Sequence, residues 1–331
     1  MSFRPTAYND PMSERPERRW FRFSPRTLFV VATIASVGMG LLVHKYHQAE
    51  RQRAAVEMVA SYGGSNDTYN SDDSTRAPQW LQRRAGRDFF VGIDCVMLGR
   101  HFNNPTRKLS DITDNDFAML ADIRSLKCLK IFDVIEFEDR HLPPLQALSN
   151  LNALMLEDTQ VTDHGMEIIG QWKRLRLVAV YTDKQSRRIT DRGLAALSGL
   201  TELEDLCLRG MQITDAASHH LRCFPRLKEL DLSATEITDA ALADISQLKE
   251  LRELSLNDTR VTDEGMKSIA KLIHLRTLQL CNTAVSDEGM AHLRSLPITQ
   301  LYAQGSKMTP ASAKPIIERD GLVRVPELVP E

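Results

Sequence analysis

The chain has 331 residues, 42% hydrophobic and 26% charged, with a formal net charge of −2. This balance excludes a globally disordered polypeptide and leaves room for two ordinary domains or one elongated array. The charge is uneven, because residues 1–53 carry nine Lys/Arg against four Asp/Glu and the remainder is net acidic.

Residues 1–26 form a basic tail that includes Arg4, Arg15, Arg18, Arg19, Arg22 and Arg26. The next 17 residues, 27–43, read "TLFVVATIASVGMGLLV" without a charge and are just long enough to span a membrane as a helix. The following "LLVHKYHQ" lacks the small residues of a signal-peptidase site, which favours an anchor over a cleaved signal. No other apolar stretch nearby could cover this segment as a core helix. More positive charge precedes the span than follows it, so the N-terminus is expected in the cytoplasm and the remainder outside. The helix is expected to continue to about residue 61. The polar stretch at 62–78 predicts a flexible linker, and "QWLQRRAGRDFF" at 79–90 an N-terminal cap.

From there the chain repeats itself. "LEDLCLRGMQITDAAS" starts at Leu203, "LKELDLSATEITDAAL" at Leu227, "LRELSLNDTRVTDEGM" at Leu251 and "LRTLQLCNTAVSDEGM" at Leu275, each 24 residues after the last. A constant step of this size is a solenoid period. In LxxLxL the last two leucines share one face of a short strand. Thr235, Thr259 and Thr283 fall where the strand ends and are expected to bond to a neighbouring coil's backbone. Thr162, Thr214, Thr238, Thr262 and Ser286 suit helix N-caps, and the Asp after each suits the positive end of the helix dipole. Met266, Ile269 and Leu272 lie on one helix face. Gly165, Gly193, Gly265 and Gly289, with Ala217 and Ala241, keep the helix close to its neighbour. Divergent copies at Leu126 and Leu151, "VAVYTDKQSRRITDRGL", an early "VMLGRHFNNPTRKLSDITDNDF" and a decayed "ITQLYAQGSKMTPASAKPII" bring the total to about nine. The repeat domain is placed at 91–320 and a C-terminal tail at 321–331.

The motif LxxLxLxxTxITDxGL resembles that of bacterial leucine-rich-repeat proteins with ITDxGL-type repeats behind an N-terminal single-pass anchor. The resemblance implies an α/β solenoid, a horseshoe or arc of strand–helix coils with a parallel sheet on its concave face. It also implies a protein-interaction scaffold without catalytic residues, held at the bacterial cytoplasmic membrane through residues 27–43.

Signatures of chemistry are missing from the sequence: it has no Walker loop, GxGxxG, GxSxG or HExxH. His219 and His220 are adjacent on a repeat helix at positions expected to point apart. The Asp163, Asp191, Asp215, Asp239, Asp263 and Asp287 series sits in equivalent surroundings, unlike an acid/base pair. Five scattered cysteines, with no CxxC, indicate neither a zinc site nor a disulfide scaffold. No enzyme activity, cofactor, metal or nucleic-acid partner is expected. Cys95 and Cys128 are expected side by side on adjacent strands, within reach of a disulfide.

The strand residues that face away from the core change character along the array. Early coils present Phe132, Met155, Leu177 and Tyr181, and middle coils present Asp205, Glu229, Asp231 and Glu253. An apolar patch beside an acidic one suits a protein or peptide with hydrophobic anchors and basic residues. Two alternatives stand beside that reading. Loops at 99–111 and 182–188 could cover the apolar residues, and the array could be an envelope-organising spacer without a specific ligand.

Overall fold

The structure, a computed structural model, describes residues 24–67, 93–99, 108–182 and 188–309. The chain divides into two compact units, Met1–His47 and Gln48–Glu331. Helix α1, Pro25–Ser61, runs through the boundary. In the first unit Ser24 caps it, its hydroxyl and carbonyl accepting from the amides of Thr27 and Leu28 at 3.2 and 3.0 Å. Leu28, Phe29, Ile34 and Leu41 are all exposed there. By length and composition α1 can cross a membrane.

In the second unit the last turns of α1 are part of the repeat domain's core. Ala55, Met58, Val59 and Tyr62 are buried in it, and the Tyr62 hydroxyl donates to the Asp111 carbonyl and the Asp116 carboxylate at 3.2 and 3.1 Å. Strand β1, Ser65–Asp67, then pairs antiparallel with β2, Cys95–Gly99. Residues 62–67 therefore do not begin a linker. They close the first edge of the sheet, where unpaired backbone groups need a partner. The low apolar content of 62–78 hides this, because the anchoring is done by one aromatic side chain and by main-chain bonds. The rest of that segment and the cap expected at 79–90 lie outside the described residues.

The remaining strands are β3 Cys128–Phe132, β4 Ala153–Glu157, β5 Leu177–Tyr181, β6 Asp205–Cys207, β7 Glu229–Asp231, β8 Glu253–Ser255, β9 Thr277–Gln279 and β10 Gln300–Tyr302. From β2 to β10 they form nine parallel strands in chain order within one open sheet. The fold is an α/β solenoid. Its leucines justify the repeat directly: Leu251, Leu254 and Leu256, like their counterparts one coil away, are buried in a single continuous core. Each contributes about 1.5–3 kcal/mol by leaving water, and no single coil could bury them alone.

Two ladders join the coils besides the sheet. The first is made of backbone. Asp133, Asp158, Gly210, Ala234, Asp258 and Asn282, just after each strand, take positive φ between 50 and 76°. This aims their amides at the next coil, as from Asp258 to the Cys281 carbonyl at 2.8 Å. The strand-end threonines do not make this link. The Thr235, Thr259 and Thr283 hydroxyls donate to Leu232, Leu256 and Leu280 of their own coil at 2.5, 2.6 and 2.8 Å. The left-handed residue before each threonine has already taken the inter-coil bond, so the hydroxyl turns back to brace the bend.

The second ladder is made of side chains. Thr162, Thr214, Thr238, Thr262 and Ser286 cap their helices, each accepting from the amide two residues on. The same residues donate to the previous coil. Asp239 accepts from the Thr262 amide at 2.8 Å and hydroxyl at 2.6 Å. The Asp163–Thr190, Asp191–Thr214, Asp215–Thr238 and Asp263–Ser286 pairs repeat this arrangement. The aspartates thus do more than complement helix dipoles. At the first junction Glu138 replaces the threonine, and the His141 ring reaches Asp114 instead at 3.0 Å. That bond, opposed by desolvation and helped by Arg140, holds the Asp114 carboxyl below its usual range.

Candidate functional site

Alternation along each strand sends every second residue to the face turned away from the helices. Register then sets these residues in rows. One row runs Cys95, Cys128, Ala153, Leu177, Asp205, Glu229, Glu253 and Thr277 across β2 to β9. The next includes Lys130, Met155, Ala179, Cys207, Asp231 and Ser255. In a third, Phe132 is in register with Glu157, and Glu157 with Tyr181.

All eight residues singled out from the sequence lie in these rows. Phe132, Met155, Leu177 and Tyr181 are half-buried, Asp205 and Asp231 are half-buried, and Glu229 and Glu253 are exposed. Leu177 and Asp205 are register partners, so the apolar and acidic groups adjoin at β5 and β6. The cover expected for the aromatics from the inserted loops falls largely on 100–107 and 183–187, outside the described residues.

The acids are not equivalent. Burial, reinforced by Glu229, Glu253 and Asp231, pushes the Asp205 carboxyl up to about 7. Burial and then Glu229 also raise Glu253. Asp231 is engaged: it accepts from the Ser233 amide at 2.8 Å, and the Cys207 thiol points at it from 3.7 Å. Burial and Asp231 together push that thiol up to about 12. Tyr181 is no plain apolar anchor either, since its hydroxyl donates to Glu157 at 3.0 Å.

Sequence reasoning missed the polar strip that continues the face. Ser233 and Ser255 bond at 2.7 Å, and the Asn257 amide donates to Ser255 and Gln279 at 3.1 and 2.9 Å. The signal was present as small and amide side chains at equivalent strand positions in successive coils. Beside the strand starts lies a groove of about 390 Å³ lined by Lys127, Lys173, Arg174, Arg176 and Glu202 among others. Its basic groups are already engaged, Lys127 with Asp94 and Arg176 with Glu204.

His219 and His220 do not point apart. Their ring centroids are 3.9 Å from each other on the 3₁₀ helix Asp215–Cys223. His219 turns back to the Ala216 carbonyl while His220 meets Ser198 of the preceding coil, and the two rings lie close with their planes tilted by 39°. Among the described residues no group of three or more His, Cys, Asp or Glu is placed to hold a metal ion.

A sheet of nine parallel strands over a continuous leucine core, with the regular coils tied by Asp–Thr/Ser rungs, defines a leucine-rich-repeat solenoid, the architecture of a protein-interaction scaffold. The "Leucine Rich repeat" family model matches residues 249–270, one stretch of the regular array, so the chain carries leucine-rich repeats. No curated protein matches it. Among solved structures it is similar to an internalin, inlF, of Listeria monocytogenes str. 4b F2365, at 20% identity and TM-score 0.47. That match covers 63% of this chain and 56% of the internalin, little more than half its length. It is also similar to internalin C2, inlC2, of the same strain, at 24% identity and TM-score 0.46, over 64% of this chain and 84% of that one.

Proposed function

We propose that this protein is a membrane-anchored, non-enzymatic receptor-like scaffold that binds a protein or peptide through the open face of its sheet. The observation that carries the reading is the junction at β5 and β6, where the half-buried Leu177 is the register partner of Asp205 and the exposed Glu229 follows one strand on. A partner that suits it inserts apolar side chains over Phe132, Met155, Leu177 and Tyr181. It also lays basic residues along Asp205, Glu229, Asp231 and Glu253. Charges at such a rim steer association more than they hold the complex.

The apolar, uncharged start of α1 supports an anchor at residues 27–43, and the arginines before it support a cytoplasmic N-terminus at a bacterial inner membrane with the repeats outside. A reporter fused after Glu331 should be active only outside the cytoplasm, and cytoplasmic activity would overturn the orientation. For recognition, the full-length chain in detergent serves as bait, because residues from Ala55 to Tyr62 belong to the repeat core and a fragment starting at 79 would lose them. Glu229→Lys with Glu253→Lys should weaken capture of a basic partner, chiefly by slowing association, while melting normally. Equal capture by parent and variant would remove the acidic row from the mechanism. If no protein is captured at all, the array is a spacer.

A further inference from the structure

The first row of the open face begins with two cysteines. Cys95 of β2 and Cys128 of β3 are register partners on adjacent parallel strands, so their side chains leave the same face of the sheet. Strands pair about 4.8 Å apart, inside the window of about 4.4–6.8 Å between Cα atoms that a disulfide spans. The two side chains are close enough for Cys95 to be the largest influence on the Cys128 thiol. Cys95 is buried and Cys128 half-buried, with Ala153 next in the row and Lys130 two residues along β3. On its other side β2 is paired to β1, Asp67 in register with Cys95. One residue earlier, Lys127 bridges to Asp94 at 2.9 Å and fixes the strand starts.

The pair is chemically set apart from the other thiols of the face. Cys95 and the Lys130 ammonium, against the opposing effect of burial, bring Cys128 down to about 7. Burial instead pushes Cys207 up to about 12 and raises Cys281.

We propose that Cys95 and Cys128 are a redox couple that closes reversibly into a cross-strand disulfide by exchange with a small-molecule disulfide. The Cys128 thiolate attacks one sulfur of the donor R–S–S–R. That bond breaks, one RS⁻ leaves with the electron pair and takes up a proton, and Cys128 is left as a mixed disulfide. The Cys95 thiol gives up its proton and attacks the Cys128 sulfur, and the second RS⁻ leaves and is protonated. Two cysteines are oxidised and one donor disulfide is reduced to two thiols. The product staples β2, the first parallel strand of the sheet, to β3, which presents Phe132. Thiol and disulfide states then differ in how tightly that end of the binding face is held.

The test equilibrates the full-length protein in glutathione buffers from reducing to oxidising, quenches with an alkylating agent and maps each cysteine by mass spectrometry. The expected result is one cross-linked peptide pair carrying Cys95 and Cys128, lighter by two hydrogens, with Cys207, Cys223 and Cys281 still alkylated. Melting should rise by about 5 °C on oxidation and fall back on reduction. Full alkylation of both residues in the most oxidising buffer, or cross-links elsewhere, would overturn the proposal. The order of attack is read from two variants. Cys95→Ser should trap glutathione on Cys128, and in the parent protein Cys128 should alkylate about tenfold faster at pH 7 than an unstructured peptide of the same sequence. Cys128→Ser should leave Cys95 unmodified. Equal capture at either position would refute Cys128 as the attacking thiol.

Discussion

The carboxylate of Asp239 holds Thr262 of the next coil at two points, the amide at 2.8 Å and the hydroxyl at 2.6 Å, while the same hydroxyl accepts from the Glu264 amide. One threonine thereby ends one interaction and starts another, coupling the capping of a helix to the stacking of coils. Asp239→Ala should destabilise the array by about 2–3 kcal/mol, as expected when a charged acceptor is removed from two donors. A double-mutant cycle with Thr262→Val should return a coupling energy of about 1 kcal/mol or more in chemical denaturation. Strict additivity would mean the rung is geometry without energy.

The same carboxylate explains a glycine. A Cβ at Gly265 would collide with Asp239 Oδ1 and Leu242 Cδ1. Gly265→Ala should therefore destabilise, although alanine is favoured over glycine in helices by about 1 kcal/mol. In an Asp239→Ala background the penalty should shrink, because one of the two obstructing atoms is gone. Melting temperatures of the two singles and the double decide it.

Two aspartates should respond to pH with opposite signs. The Asp263 carboxyl is pushed up by burial, but bonds from Ser286 and Gly289 and the charge of Lys307 outweigh that and leave it lowered. It stabilises the fold above its unfolded value, and the contribution is lost as pH falls through the folded value. Asp205, raised to about 7, keeps its proton in the folded state where the unfolded chain has lost it, so stability falls as pH rises from about 4 to 7 and then levels off. Asp205→Asn should raise stability by about 1–2 kcal/mol at pH 8 and leave it nearly unchanged at pH 4. Denaturation curves at both values are the check, and a gain at pH 4 equal to that at pH 8 would contradict it.

Core and face should separate cleanly at β8. Leu254→Ala removes a buried rung of the leucine stack and should destabilise by about 2–5 kcal/mol. The exposed Glu253, one residue away, should change stability by no more than about 0.5 kcal/mol when replaced by Lys. Similar losses for both would mean the face is more tightly packed than its exposure indicates.

The fold was legible because the repeat has a period, and a period is a statement about neighbours. LxxLxL, the Thr–Asp pair and the small residue after it each return every 24 residues from Leu203 onward, which is enough to place strands, caps and core. Bonds between coils were less legible. Nothing in one repeat says whether Thr259 reaches forward or back, and the left-handed position at Asp258, Asn282 and Ala234 is filled by residues with no shared side-chain chemistry. The Asp239 contact was hidden behind a sufficient explanation, since an aspartate at each helix start already complements the helix dipole. On the binding face, the row positions of Leu177 and Asp205 followed from alternation. The partners of Asp231 and Tyr181 did not, since both depend on side-chain torsions within a row.

Every rung is a plug on one coil and a socket on the next, and the plug is the same throughout the regular part of the array. A coil of 24 residues such as 239–262 could be removed or duplicated and the flanking aspartates and hydroxyls would still meet. Length is then a variable that can change in whole steps, each adding or removing about 4.8 Å of face, without any new interface having to be invented. The rung that fixes the distance between neighbours is the same device that frees the number of them.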